Sequence, residues 1–331
     1  MQLRQLTQGE RNARMTKTGR IKVTQRCRPL FKLCRAAALL LALLGGTVPA
    51  WSQPYTLHAD GARLLGRTTY HIVERGETLP NIAKDYDVGY LALVAANPGI
   101  DPFAPSRGYA LTIPTQLILP NVQRSGIVIN LAELRLYYFD PDEPIVHIFP
   151  VGIGRVGRET PKMVTRISQK RANPTWVPPK SVRKDYLERG ITLPSVVPPG
   201  PDNPLGLFAL RLAYGSGQYL IHGTNKEYGI GARVSAGCIR MAPADIEWLY
   251  HQVDTKTQVR IINQPIKMAR EPDQRIYLEV HEPLTKADGK KQTLKMPRQL
   301  RTMLNQSNRD EAMAEAVIAS QNGVPVKIDG R

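Results

Sequence analysis

Residues 221–240 read IHGTNKEYGIGARVSAGCIR, and this stretch holds the side chains best suited to covalent chemistry. Cys238 follows His222 by sixteen positions. A thiol becomes a strong nucleophile when it loses its proton, and a nearby imidazole can take that proton or stabilise the thiolate. Gly237 beside the sulfur leaves room for a carbonyl group to approach, and backbone N–H groups in such a turn can form an oxyanion hole. Arg233 and Arg240 flank the thiol with positive charge suited to a carboxylate-bearing substrate. Cysteine and histidine are also metal ligands, but a structural zinc site normally wants a full tetrahedral set of nitrogen and sulfur donors. His251 and His281 stand at unsuitable spacing to complete one, so neither a metal nor a cofactor is expected. A papain-like arrangement is disfavoured, because there the cysteine precedes the histidine by a long interval.

The thiol's isolation sharpens its interest. The 331 residues contain three cysteines, and two of them, Cys27 and Cys34, lie in a segment that reads as an export signal. Arg26, Arg28, Lys32 and Arg35 precede the apolar run AAALLLALLGG at residues 36–46, and small residues lead to Ala50 as the expected cleavage point. The run is shorter than the ~20 residues that span a bilayer; an uncleaved anchor or a buried helix is the alternative, and Met15 offers an internal start. Once residues 1–50 leave, Cys238 has no partner for an intramolecular disulfide, and a leftover thiol in an exported chain points to reactivity. The plainer alternative is a buried cysteine acting as a small hydrophobe. The formal net charge of +17 has the same origin: ten Lys/Arg and Glu10 give residues 1–50 a charge of +9, leaving +8 (17 minus 9). That surplus suits an anionic polymer, wall or membrane surface and does not require nucleic acid.

The elements that must position this chemistry are mostly short. Residues 51–68 read as a linker. Residues 70–73 alternate as a strand, Gly76 turns the chain, and Thr78 caps a helix whose apolar face includes Ile82, Ala83 and Tyr86. A second helix over Tyr90–Ala96 stops at Asn97-Pro98, and ALTIP closes a strand–helix–helix–strand module at Pro114. From Ser125 the texture is β-rich: GIVINLAELRLYYF predicts two strands in period-two alternation with a break at Ala132-Glu133, and IVHIFPVGIG predicts another. Gly152 to Gly157 form a literal G-x-G-x-x-G, but the segment RETPKM follows with Pro161 early, and the nearest acid after it is Asp185, so a dinucleotide site is rejected. Residues 172–206 are Pro-rich and read as a structureless lid or cleft wall, with Trp176 as a candidate wall residue. Residues 245–253 have helical spacing and QVRIIN is a strand. The tail predicts a strand at RIYLEVH, a basic loop around Lys290, and a helix after Asn308 that Glu311 helps cap and Gly323 ends.

Two resemblances rest on these motifs. YHIVERGETLPNIA, LVAANP and LTIP, spread over residues 70–114, resemble a LysM module, which implies binding to the N-acetylglucosamine-containing glycan of peptidoglycan or chitin; a small α+β domain of no particular affinity is the alternative. IHGTN and GIGARVSAGCIRM resemble the S-x-G-C-x-R signature of L,D-transpeptidases with a YkuD-type catalytic domain, supported by VGIGRVGRETPKM, RANPTWVPP and LPSVVPPGPDNPLG. The order of signal, LysM module, catalytic domain and tail is similar to the ErfK/YbiS/YcfS/YnhG group. It implies a signal peptide over 1–50, a linker over 51–68, a βααβ LysM module over 69–115, and a small C-terminal subdomain over 265–331. The catalytic domain, over 124–264, is then mainly β, a sandwich or barrel-like fold with short helices.

The resemblance further implies that Cys238 attacks a peptidoglycan tetrapeptide stem between its third residue and D-Ala, forming a thioester, with His222 as general base. It gives Gly223 the role of orienting the imidazole through its carbonyl, Ser235 and Gly237 that of shaping the oxyanion region, and Arg240 that of contacting substrate; Arg233 and Trp176 are further candidates for substrate contact. The acceptor is a diamino acid on a neighbouring stem, giving 3–3 cross-links, or the C-terminal lysine of an outer-membrane lipoprotein, toward which the tail IYLEVHEPL leans. Carbapenem-type β-lactams are the expected inhibitors, and the periplasm is the expected location. Many relatives carry histidine where this chain has Ala236, so a second imidazole is absent from the motif. Two alternatives stay open: an L,D-carboxypeptidase using water as acceptor, and a non-enzymatic wall-binding protein in which Cys238 is inert.

Overall fold

The two strands after Ser125, at residues 126–130 and 135–139, are buried at nearly every position because the sheet is covered there on both faces. The computed structural model describes residues 54–285, 289–290, 292–306 and 311–328; the expected export signal lies outside them, as does Asn308. Elements run in the order β1 (Tyr55–Thr56), β2 (Leu64–Leu65), β3 (Thr69–Ile72), α1 (Leu79–Asp85), α2 (Tyr90–Ala96), β4 (Ala110–Ile113) and β5 (Leu117–Ile118). Then follow β6 (Gly126–Asn130), β7 (Arg135–Phe139), β8 (Ile145–Pro150), β9 (Ile153–Gly154), β10 (Met163–Ala172), α3 (Lys180–Leu187), β11 (Phe208–Leu212) and β12 (Leu220–His222). The chain continues through β13 (Arg233–Ser235), β14 (Ile239–Arg240), α4 (Pro243–Gln252) and β15 (Gln258–Ile262). It ends in β16 (Ile266–Arg270), β17 (Ile276–Val280), α5 (Arg298–Gln306), α6 (Glu311–Ser320) and β18 (Val326–Lys327).

The main sheet has nine strands in the order β1-β8-β7-β6-β15-β10-β11-β12-β14. Its pairs are antiparallel except β6–β15 and β12–β14. At a register shift between Ile167 and Gln169, β10 passes from pairing with β15 to pairing with β11. A bulge of this kind bends a strand and increases its twist. Ile127, Ile129, Leu136 and Tyr138 pack into one core with Ile221, Ile239 and Leu249. The residues between them, Val128, Tyr137 and Phe139, pack into a second core with Leu65, Leu117 and Leu119. This corrects the expected alternation of inward and outward positions: β7 is buried along its whole length. It also corrects the linker reading, since β1 extends the main sheet beside β8 and β2 pairs with β5.

The βααβ module forms β3–α1–α2–β4 around Val73, Leu79, Ile82, Leu93, Leu111 and Ile113. Thr78 caps α1 by accepting the Asn81 N–H at 3.5 Å. The module docks on the loop that joins His222 to Cys238. Leu91 N–H donates to Gly231 O at 3.1 Å, and Lys84 pairs with Glu227 at 2.8 Å. Gly231 has φ +68, and a side chain there would collide with Gly89.

In the tail, the three-stranded sheet β16-β17-β18 shares a core with α5 and α6 that includes Ile276, Leu278, Leu300, Leu304 and Val317. Gly323 does not end α6. Gln321 does, with φ +48 and its N–H 3.3 Å from Val317 O, while Gly323 lies against the His281 ring where a Cβ would crowd Nδ1 at 3.0 Å. A buried ionic network joins tail to main sheet. Lys267 Nζ lies 2.7 Å from Glu133 and 3.0 Å from Glu279, and Arg135 Nη1 lies 3.3 and 3.2 Å from the same two carboxylates. Glu133, Glu279 and His281 bring ligand-type atoms within 4.8 Å of one another, but the Lys267 ammonium already supplies the cation between the carboxylates. No helix among the described residues is long and apolar enough to cross a membrane.

Candidate active site

Strands β12 and β14 run parallel, with Ile221 opposite Ile239 and His222 opposite Arg240. Successive side chains on a strand point to opposite faces. Ile221 and Ile239 therefore enter the main core, where both are fully buried. His222 and Arg240 occupy the other face, and Cys238, two residues before Arg240, joins them there. Neighbouring strands lie ~4.8 Å apart and rise ~3.3 Å per residue, so Cys238 and His222 are diagonal neighbours on one face. The parallel register thus puts His222 opposite Arg240 and two positions from Cys238 across the strand pair, although sixteen residues separate them in sequence.

His222 Nδ1 lies 2.6 Å from Gly223 O. Donation of the Nδ1 proton to that carbonyl leaves Nε2 as the proton acceptor. The ring is buried, and burial together with the Arg240 charge pushes its pKa down to about 4, against the carbonyl hydrogen bonds of Gly223 and Leu205. Burial likewise pushes the Cys238 thiol up, against a hydrogen bond from the Leu220 backbone and the attraction of Arg240. Cys238 donates to Gln218 O across 3.6 Å. Both shifts favour the neutral forms, a thiol and an imidazole, so the sulfur must lose its proton as it attacks. Alkylation of Cys238 by iodoacetamide is accordingly expected to keep accelerating into the alkaline range, with its midpoint above the ordinary thiol value of 9.0. A plateau already reached at neutral pH, read by mass spectrometry of the Cys238 peptide, would indicate a preformed thiolate instead.

Ser235 braces the loop before the sulfur. Its Oγ accepts the Gly237 N–H at 3.1 Å and donates to Cys238 O at 2.5 Å. Gly237 has φ +114, a conformation that favours glycine. Its N–H is spent on Ser235, so it shapes the oxyanion region through its backbone path and not as a donor. Ala236, where the departure from the motif lies, is exposed.

Arg240 exchanges backbone hydrogen bonds with Gly152, both 2.8 Å. Its guanidinium lies where it feels Tyr186, Tyr228 and Cys238, and its Nε is buried with no hydrogen-bond partner among the described residues. A cation in this state is a ready receptor for a carboxylate. Arg233 is different: its guanidinium donates to the carbonyls of Glu282 (3.2 Å) and Pro283 (3.5 Å), which ties β13 to the tail, while its Nε is buried without a partner among the described residues. Trp176 exchanges backbone hydrogen bonds with Val197 (2.9 and 2.8 Å) and is half-buried, fastening the Pro-rich segment to itself.

That segment is not structureless. It carries α3, none of whose side chains is fully buried, with Val182 and Tyr186 half-buried on one side. Asp185 on α3 is held by Arg155 at 2.6 Å and Arg158 at 3.1 Å, both from the glycine-rich turn after β9. At the segment's other end the Leu205 carbonyl reaches His222, and Gly206 lies so close that a Cβ would meet Thr224 N at 2.9 Å. The segment is anchored at both ends beside the His222–Cys238 face and forms its wall. Sequence reasoning missed Tyr186, Tyr228 and Thr160. The last is buried, accepts the Gly154 N–H at 3.0 Å, and donates to Gly237 O at 2.8 Å. Its place directly after the G-x-G-x-x-G turn is the signal that was available.

Comparison with known proteins finds one family along most of the chain. The family model for the L,D-transpeptidase catalytic domain, YkuD, matches residues 124–261, and that for the L,D-transpeptidase C-terminal domain matches residues 265–328. The chain is 48% identical over 302 residues to "Probable L,D-transpeptidase YcfS" of Escherichia coli K12, covering 88% of this chain and 92% of that one. It is 44% identical over 295 residues to "Probable L,D-transpeptidase ErfK/SrfK" of the same strain, covering 87% and 94%. To "Probable L,D-transpeptidase YbiS", again of that strain, it is 39% identical over 306 residues, covering 90% and 99%.

Proposed function

The chain belongs to the L,D-transpeptidase family, and we propose from that premise that it is a periplasmic enzyme acting on the tetrapeptide stem of peptidoglycan. The observation that carries this reading is the register that sets His222 opposite Arg240, two positions from Cys238, with the Arg240 Nε buried and without a hydrogen-bond partner among the described residues. Cys238 passes its proton to His222 Nε2 as the sulfur attacks the carbonyl that joins the third stem residue to D-Ala. The tetrahedral adduct collapses, the C–N bond breaks, and the imidazolium returns the proton to the departing D-Ala amine. The thioester then meets an acceptor amine. His222 takes the proton from that nitrogen, and the thiol re-forms as the new amide is released. Arg240 receives a substrate carboxylate, and the wall built by the Pro-rich segment keeps bulk water from the thioester.

The remaining parts fit the same setting. Residues 69–115 act as a LysM module that holds the glycan while residues 124–264 work on the stem, and residues 1–50 direct export and are removed near Ala50. Among acceptors we favour the C-terminal lysine of an outer-membrane lipoprotein over a neighbouring diamino acid. The test is mass spectrometry of muropeptides and lipoprotein-linked fragments from cells with and without the gene. Loss of lipoprotein-linked stems is expected; loss of 3–3 cross-links alone would move the assignment to the other acceptor. With isolated tetrapeptide, a product set of tripeptide and D-Ala with no amine adduct under any acceptor would make the protein a hydrolase.

A further inference from the structure

We infer that Thr160 is a positioning residue that aims the Cys238 N–H as the oxyanion donor. This rests on the nucleophile reading of Cys238 and adds to it. Thr160 lies outside the signature stretch, yet its buried hydroxyl donates to the carbonyl of Gly237 at 2.8 Å while accepting the Gly154 N–H at 3.0 Å. The carbonyl of Gly237 and the N–H of Cys238 belong to one peptide unit. No cis peptide occurs among the described residues, so within that plane the N–H points opposite to the oxygen. Whatever holds the oxygen therefore sets the direction of the Cys238 N–H.

The two flanking peptides are fixed by another side chain. Ser235 Oγ takes the Gly237 N–H and donates to the Cys238 carbonyl. Three successive peptide units are thus held by two hydroxyls, and among the described residues the Cys238 N–H, like that of Ala236, has no protein acceptor. Gly237 at φ +114 leaves the chain free to swing here, so the orientation must come from outside the loop. Thr160 supplies it, and the Gly154 N–H fixes the Thr160 hydroxyl in turn. A donor of this kind matters only when charge collects on a carbonyl oxygen, as in the tetrahedral adduct.

The experiment separates this role from generation of the thiolate and from simple support. Two reactions of Cys238 are followed in the full-length protein at one pH. Alkylation by iodoacetamide displaces iodide at a saturated carbon and forms no oxyanion. Acylation by a carbapenem adds the sulfur to the lactam carbonyl, passes through an oxyanion, and breaks the ring C–N bond with a proton taken up on nitrogen. Thr160→Val is expected to slow acylation on the order of 10²-fold, the scale of a lost oxyanion donor, and to leave alkylation within about twofold. Thr160→Ser restores the hydroxyl and is expected to recover most of the acylation rate. Thr160→Ala, which removes the bulk that valine retains, must follow the valine variant.

Equal slowing of both reactions, or unchanged acylation in Thr160→Val and Thr160→Ala, overturns the inference. If valine destabilises the fold, the alanine and serine pair decides by the same two rates. A wild-type protein whose Cys238 alkylates but never acylates would instead overturn the nucleophile reading on which the inference rests.

Discussion

Cys238→Ser is expected to lower D-Ala release from a tetrapeptide stem on the order of 10⁴-fold or more, the scale seen when a covalent nucleophile is removed. Serine preserves size and a hydrogen-bond donor, so the loop braced by Ser235 and Thr160 keeps its path. The loss comes from acidity. A hydroxyl is a far weaker acid than a thiol, and His222, held down to about 4 by burial and by Arg240, is too weak a base to take its proton. His222→Gln is expected to cost about 10²- to 10⁴-fold, the usual range for a general base. Because sulfur and imidazole act in one proton transfer, the double variant should be little worse than Cys238→Ser alone. Melting curves of the serine variant should match the parent, since a hydroxyl can keep both the long 3.6 Å contact to Gln218 O and the bond from the Leu220 backbone. Cell-wall products and stem turnover that survive Cys238→Ser would favour the non-enzymatic reading.

Much of this site was legible in sequence because its cues are local. A histidine after the apolar triplet YLI ends β12, the helix over Tyr90–Ala96 stops at its Asn-Pro, and the break at Ala132-Glu133 falls in the turn between β6 and β7. What escaped depends on partners far along the chain. The apolar residues of β6 and β7 show no alternation because Leu65, Leu117 and Leu119 cover the face that solvent would otherwise wet. Arg233 lies close to Cys238 in sequence, but its guanidinium is taken by carbonyls fifty residues away. Sequence does not tell which N–H of the turn is free, because the Gly237 N–H goes to the Ser235 hydroxyl. The wall helix α3 is eight residues long, holds no fully buried side chain and lies between prolines, so its Val182–Tyr186 spacing is too short a pattern to stand out. Composition alone gave no hint that residues 54–68 belong to the packed body, since β1 and β2 are two residues each and find their partners at β8 and β5.

Lys267→Met should be the most damaging single change to stability outside the active site. The ammonium is fully buried between Glu133 and Glu279, so removing it leaves two carboxylates facing each other without their principal counter-charge. Breaking a buried pair in this way costs about 3–5 kcal/mol, enough to lower the melting temperature on the order of 10 °C. The pH dependence supplies the control. In the parent, burial would raise the carboxyl of Glu279, but Lys267, the His281 hydrogen bond and Arg135 outweigh it and hold the pKa at about 2, below the ordinary 4.5. A depressed carboxylate contributes its full stability above 4.5 and loses it as pH falls toward 2. Without Lys267 the same burial favours the protonated acids, so the variant's deficit should be largest at neutral pH and shrink as the medium is acidified. Adding Glu279→Gln to Lys267→Met removes one of the opposed charges and should recover part of the loss at neutral pH. A deficit that is constant from pH 7 to pH 4, or no deficit, would show that the charges are not what joins the tail to the sheet. Because Lys267 and Arg135 also hold the carbonyls of Ile118 and Pro114, loosening the network should expose the segments around residues 115–123 and 263–266 to protease together.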